Sequence, residues 1–194
     1  MFALDHLVIA AETLAEGTAF MEEALGMDLA PGGQHTFMGT HNRLLSLGPG
    51  TYLEVIAIDP ELRAQDRARW FGLDTFKGAP RLVSWVWSAE DIAQVAQMPG
   101  RYGAAEDFAR GDLRWQMALP DDSPLGTLAP PVLHWDAVKP QDRLPDLGVR
   151  LTSLRVQHPQ IEVLPEMADA RVSRGTGPAS ISAAFSMKTG EFTL

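Results

Sequence analysis

The chain has 194 residues, 45% of them apolar, and a formal net charge of −9. That size and composition suit a globular protein of one domain or two small ones, with a real core, and exclude an intrinsically disordered chain. The acidity argues against a nucleic-acid backbone or an anionic membrane surface as partner and leaves a small molecule as the expected ligand. There is no cysteine, so disulfides, thiolate nucleophiles and Cys-ligated zinc are excluded, and any metal must be held by His, Asp or Glu. The N-terminal stretch "MFALDHLVIAAETLAE" lacks a basic segment and turns acidic early, and no run of about 18 apolar residues occurs. Neither a secretory signal nor a membrane span is expected, and the cytoplasm is the expected location.

Residues 4–10, "LDHLVIA", have the continuous apolar character of a strand buried on both faces, interrupted by Asp5 and His6. Thr13 and Glu16 then form a T-x-x-E capping box, Leu14, Met21 and Leu25 share one helical stripe, and Gly26 supplies a C-cap. Three strands follow, around Leu29, in "NRLLSLG" and in "TYLEVIAID", the last two separated by the turn "GPG". The order is β-α-β-β-β over residues 1–59. Residues 60–80 begin with proline, carry alternating charge and end in Gly-Ala-Pro, which predicts a helical linker.

The pattern then restarts over residues 81–140. "LVSWVWS" reads as a strand, "SAEDIAQVAQM" as a capped helix, "DFARGDLRWQMAL" as a hairpin turning at Arg110 to Asp112, and "PPVLHWDAV" as a last strand. Residues 141–194 form a weaker third unit: a strand in "VRLTSLRVQH", a short helix broken by Pro165, and a hairpin turning at Lys188 to Gly190. The fold class expected is therefore α+β, two βαβββ modules forming a curved mixed sheet with a cleft, plus a C-terminal partial βαββ repeat.

An unpartnered polar group in a buried strand costs about 1–3 kcal/mol, so the polar residues of these strands are informative. Superposing the two modules aligns His6 with Ser84 and Glu54 with His134; the pairs are separated by 48 residues in the first module and 50 in the second. If first and last strands of each module lie near each other, His6, Glu54, His134 and Ser84 converge on one concave face. Two histidines and a carboxylate make a facial set that suits Zn, Mn, Fe, Ni or Co and leaves positions open to water and substrate. Asp5, adjacent to His6 in a strand, is expected to point to the opposite face and not to serve it.

These residues resemble the vicinal oxygen chelate superfamily, and within it the glyoxalase-like domain proteins. The matching segments are "LDHLVIA", "GGQHTFMGTHNRLLSLGPGTYLEVIAID" at 32–59, "RLVSWVW" at 81–87 and the terminal unit from "SLRVQHP", so that the resemblance spans essentially the whole chain. It implies paired modules enclosing a divalent metal in a cleft, with substrates bound through oxygen atoms during isomerisation, lyase, epoxide-opening or ring-cleavage chemistry. Many metal-dependent members place His or Gln on the first strand of the second module, where this chain has Ser84. The superfamily also contains metal-free, antibiotic-sequestering proteins of the bleomycin-resistance type, so membership does not establish catalysis. Its clefts are often completed by dimerisation, which makes a homodimer one expected assembly.

Two readings therefore compete. In the first, Glu54 binds a metal or shuttles a proton in a lyase, isomerase or dioxygenase; in the second, the cleft sequesters a small molecule without metal. His35, His41 and Asn42 lie in a Gly-containing stretch expected to form a mobile segment over the site, with His41, Asn42 and Ser84 as substrate-contacting residues. Trp85, Trp87, Trp115 and Trp135 are expected in the core or along an apolar pocket wall, and Arg43 and Arg114 are available as carboxylate anchors.

Overall fold

A computed structural model describes residues 1–63 and 67–194. The first module runs β1 (Phe2–Ala10), α1 (Leu14–Leu25), β2 (Ala30–His35), β3 (Thr40–Ser46) and β4 (Tyr52–Ile58). The predicted caps of α1 form: Thr13 Oγ1 accepts from the Glu16 N–H at 3.2 Å and donates to Glu16 Oε2 at 2.9 Å, and Gly26 closes the helix at φ 66°. Met21 and Leu25 are buried.

The second module comprises β5 (Arg81–Ala89), β6 (Arg101–Tyr102), β7 (Glu106–Arg110), β8 (Leu113–Ala118), β9 (Pro120–Asp122) and β10 (Val132–Trp135). Its expected α-helix is replaced by a 3₁₀ segment, Ile92–Gln97, capped by Asp91 rather than Ser88. The described part of the 60–80 linker holds no α-helix either; it contains a single 3₁₀ turn, Trp70–Gly72, in which Phe71 takes φ 57°. Trp70, Leu73 and Phe76 recur every three residues, but the left-handed backbone at Phe71, Gly72 and Gly78, with φ 57°, 69° and 93°, interrupts the segment.

Eight strands form one sheet in the order β2-β3-β4-β1-β5-β10-β8-β7. Each half has its first strand parallel to its last, with the middle strands beyond, and β1 joins β5 antiparallel at the centre. The two modules are thus related as the repeated pattern implied. The sheet curves until its edges meet: Arg110 at the end of β7 donates to His35 at the end of β2.

The C-terminal segment forms a separate four-stranded sheet from β11 (Arg150–Gln157), β12 (Val172–Gly175), β13 (Ser180–Met187) and β14 (Gly190–Thr193), in the order β12-β11-β13-β14. Its first strand lies inside the sheet, paired parallel to β12 and antiparallel to β13, whereas the first strand of each module reaches its own module only through the last strand. It is therefore not a third copy of the module. Leu151, Leu154, Val156 and Phe185 pack in one cluster with Leu7, Ile9, Trp85 and Trp87, so this sheet covers the convex face where the second module lacks a full helix. No helix among the described residues is long and apolar enough to cross a membrane.

Candidate functional site

The concave face of the sheet holds a cavity with about 420 Å³ of empty space, its open mouth included. One wall comes from the first module and is polar: His6, His35, Asn42, Tyr52 and Glu54, with Leu44. The opposing wall comes from the second module and is apolar: Trp115, Met117, Leu133 and Trp135, with Arg110 at the seam. Trp70 and Phe71 of the linker close one side.

Strand alternation explains most of the polar wall, since Tyr52, Glu54 and Ile56 face the cleft while Leu53 and Val55 face the α1 side. β1 departs from alternation. Its pairing with β5 slips between Leu4 and His6, so Leu4 opposes Trp87 and His6 opposes Val86 with Asp5 as the extra residue. This bulge turns Asp5 and His6 to the same side. The expectation that Asp5 cannot serve His6 is corrected: Asp5 Oδ1 lies 2.8 Å from His6 Nδ1, and Asp5 Oδ2 accepts from Trp135 Nε1 at 2.9 Å.

His6 Nε2 in turn lies 3.6 Å from Glu54 Oε2, and the imidazole stacks on Tyr52 with ring centroids 4.5 Å apart. Burial alone pushes the imidazole down, but the hydrogen bonds and charges of Asp5 and Glu54 outweigh it and raise His6 to about 9. Burial likewise pushes the Glu54 carboxyl up, and the proximity of His6, reinforced by His35 and Asn42, brings it to about 2. At neutral pH the pair is an imidazolium between two carboxylates. Tyr52 is driven well above its ordinary value by burial and by the Asp5 and Glu54 charges, so it remains a neutral phenol.

Asn42 holds the far side of Glu54. Its amide nitrogen donates to Glu54 Oε1 at 2.5 Å, while its oxygen accepts from the Gly33 N–H at 2.8 Å and from Arg110 at 3.1 Å. The two donors on the oxygen and the acceptor on the nitrogen fix the amide orientation. The approach requires the glycines of "PGGQH": a Cβ on Gly32 would sit 2.1 Å from Asn42 Oδ1. Burial pushes His35 down to about 4 and Arg110 reinforces this against the pull of Glu54. Its neutral Nε2 faces Arg110 at 3.1 Å, which assigns the proton to Nδ1, donated to Thr40 Oγ1 at 3.0 Å.

Of the residues singled out from sequence, the structure brings together His6, His35, Asn42 and Glu54, with Trp115 and Trp135 on the facing wall. His41, next to Asn42 on β3, points to the other side, with Nδ1 3.4 Å from Asp59. Ser84 is buried, faces a separate and larger cavity on the far side of Trp70 and Phe71, and does not line the site. His134 is corrected most clearly: Leu133 and Trp135 face the cleft, and His134 between them donates from Nδ1 to the Ala89 carbonyl at 3.1 Å. Matching the modules by spacing placed β10 one residue out of step, and a one-residue slip reverses the face of a strand.

A divalent metal does not fit this donor set. His6 and Glu54 are the two available ligands, the second module presents indole, thioether and aliphatic groups, and His35 Nε2 already faces a guanidinium. A catalytic zinc site takes three protein ligands. Among the described residues no three His, Asp or Glu side chains are grouped to hold a metal ion. Sequence reasoning did not single out Arg110 or Tyr52 for the site. Arg110 reads as a turn residue, and only closure of the sheet brings it to β2.

The sequence matches the glyoxalase-like domain family over residues 4–170. No curated protein matches it. Among solved structures, a hypothetical protein from Staphylococcus aureus is 12% identical, with the match covering all of this chain and 85% of that one at a TM-score of 0.57. A methylmalonyl-CoA epimerase from Streptomyces coelicolor is 17% identical over 70% of this chain and 96% of its own, with a TM-score of 0.50. Another methylmalonyl-CoA epimerase, in complex with methylmalonyl-CoA and NH4+, is 18% identical over 72% of this chain and 98% of its own, also at 0.50. At these identities the likeness shows the fold.

Proposed function

This chain belongs to the glyoxalase-like domain family of the vicinal oxygen chelate superfamily, and from that premise we propose that it binds a small oxygen-bearing organic molecule in the inter-module cleft and acts on it through His6 and Glu54 without a resident metal. The observation that carries this reading is the asymmetry of the cleft: the ligand donors sit on one wall, and the other wall is made of Trp115, Met117, Leu133 and Trp135. Such an apolar wall receives the carbon body of a ligand, while the few convergent polar groups opposite orient its oxygen.

In this arrangement His6 is the electrophile. Its Nδ1 is held by Asp5, which Trp135 holds in turn, so the ring cannot rotate away. Its Nε2–H, 3.6 Å from Glu54, is within reach of a ligand oxygen and stabilises negative charge developing there. Glu54, anchored by Asn42, holds the imidazole in place. Strongly perturbed titratable groups gathered in a cleft are a mark of functional sites, which supports chemistry over passive binding.

The test is elemental analysis of protein purified without chelators, combined with thermal melts in the presence of Zn, Mn, Fe(II), Ni or Co. Sub-stoichiometric metal and an unchanged Tm are expected. Stoichiometric metal that disappears in His6→Ala, with a Tm that rises on metal addition in the wild type, would overturn the metal-free reading. Mass spectrometry of ligand recovered after incubation separates chemistry from sequestration, since a sequestering protein returns its ligand unchanged.

A further inference from the structure

We infer that Arg110 is an anchor for a carboxylate, so that the ligand of the cleft is a small organic acid with an apolar or aromatic body. The inference rests on the reading of the cleft as the ligand site and adds the class of ligand.

Arg110 is the one arginine lining the cavity. Its NH1 meets Nε2 of His35 and Oδ1 of Asn42, both at 3.1 Å. Both partners are neutral acceptors held from behind, His35 by Thr40 and Asn42 by Glu54 and the Gly33 N–H. They orient the guanidinium without neutralising it. An arginine has five N–H donors in a fixed fork, and these two contacts use one nitrogen.

Of the arginines with no carboxylate partner among the described residues, which include Arg43, Arg63, Arg81, Arg114 and Arg155, Arg110 alone lines the cavity. Arg67, Arg69, Arg101, Arg143, Arg150, Arg171 and Arg174 each pair with an Asp or Glu. Arg110 has no carboxylate partner among the described residues, although it is half-buried. The cavity's own carboxylate, Glu54, is engaged by His6 and Asn42. Of the arginines considered from sequence, Arg114 donates to the Gly111 and Leu113 carbonyls and does not line the cavity.

Space is kept for the anchor by Gly33, where a Cβ would lie 2.9 Å from Arg110 Cδ. A net charge of −9 gives no long-range attraction for an anion. Recognition therefore depends on contact with this oriented fork, which matches a carboxylate in a bidentate pair.

The experiment titrates wild type, Arg110→Met and Arg110→Lys with phenylacetate and with its neutral isostere phenylacetamide. Binding is read by calorimetry and by fluorescence of the cavity tryptophans, with circular dichroism confirming that each variant is folded. A charge-assisted pair is worth about 1.5–3 kcal/mol, so phenylacetate should bind wild type about 10- to 150-fold more tightly than phenylacetamide. That preference should vanish in Arg110→Met, whose affinities for the two probes should be equal, and survive in part in Arg110→Lys. Equal affinities in wild type, or a preference that persists in Arg110→Met, would overturn the anchor and leave the cleft reading standing. Failure of both probes to bind wild type would count against both.

Discussion

The two modules repeat one strand order and yet present opposite chemistry to the space between them. In the first module the cleft-facing positions of β1, β3 and β4 carry His6, Asn42 and Glu54; in the second, those of β8 and β10 carry Trp115, Met117, Leu133 and Trp135. The sheet topology requires only that these positions alternate between two faces, and either a donor or an apolar side chain satisfies that. Symmetry of fold therefore does not imply symmetry of site. Arg110 crosses the seam to His35 and Asn42, and within the cleft the Trp135 indole donates to Asp5, by which the apolar module orients the charged residues of its neighbour.

The largest effect should come from breaking the polar wall. His6→Leu removes the cation that Asp5 and Glu54 share while leaving both carboxylates buried, and loss of one partner from a buried pair costs about 3–5 kcal/mol. Urea denaturation should show this loss, and His6→Leu combined with Glu54→Gln should recover part of it. A His6→Leu variant as stable as wild type would contradict the buried ion pair.

Dependence on pH sharpens the same comparison, because the first wall titrates and the second does not. His6 stands at about 9 in the folded chain against 6.5 ordinarily, so its stabilisation is complete below pH 6.5 and is lost as pH rises through 9. His35, lowered to about 4, acts in the other direction: its unfolded form takes a proton first, and stability falls as pH drops from 6.5 towards 4. Glu54, lowered to about 2, adds a further loss as pH falls below 4.5. Stability should therefore peak near pH 6.5. His6→Gln should flatten the alkaline limb and His35→Gln the limb from 6.5 to 4; a wild-type profile level between pH 6.5 and 9 would disprove the assignment of His6.

The smallest effect tests the indole link between the walls. Trp135→Phe keeps an aromatic ring and removes the donor to Asp5, with an expected loss of about 1.5–3 kcal/mol, the range for a hydrogen bond to a charged group. A double-mutant cycle with Asp5→Asn should return a coupling energy of about 0.5 kcal/mol or more. Additive losses would mean that the indole packs beside Asp5 without orienting it.

Much of this was legible in the chain. Thr13, Glu16 and Gly26 mark the ends of α1, the turns at Gly48 to Gly50 and at Arg110 to Asp112 fall where expected, and the repeat of modules is visible because its period is local. His6 and Glu54 were found because a charge in an apolar strand requires a partner. His134 was misplaced because laying "YLEV" on "VLHW" matched one polar residue to the other, whereas Leu133 and Trp135 are the β10 residues that face the cleft. Arg110 was missed for a different reason: it stands beside a turn glycine, and its role exists only because two sheet edges 75 residues apart come together.

Sequence alone determined the class of fold, the family resemblance, the absence of thiol chemistry and the polar residues that needed partners, since each depends on composition or on patterns a few residues long. Tertiary structure decided which of those residues meet. The bulge that turns Asp5 towards His6, the register that turns His134 away, and the closure that delivers Arg110 are set by pairing between distant strands. One residue of slip in that pairing exchanges the faces of a strand, and with them the chemistry of the cleft.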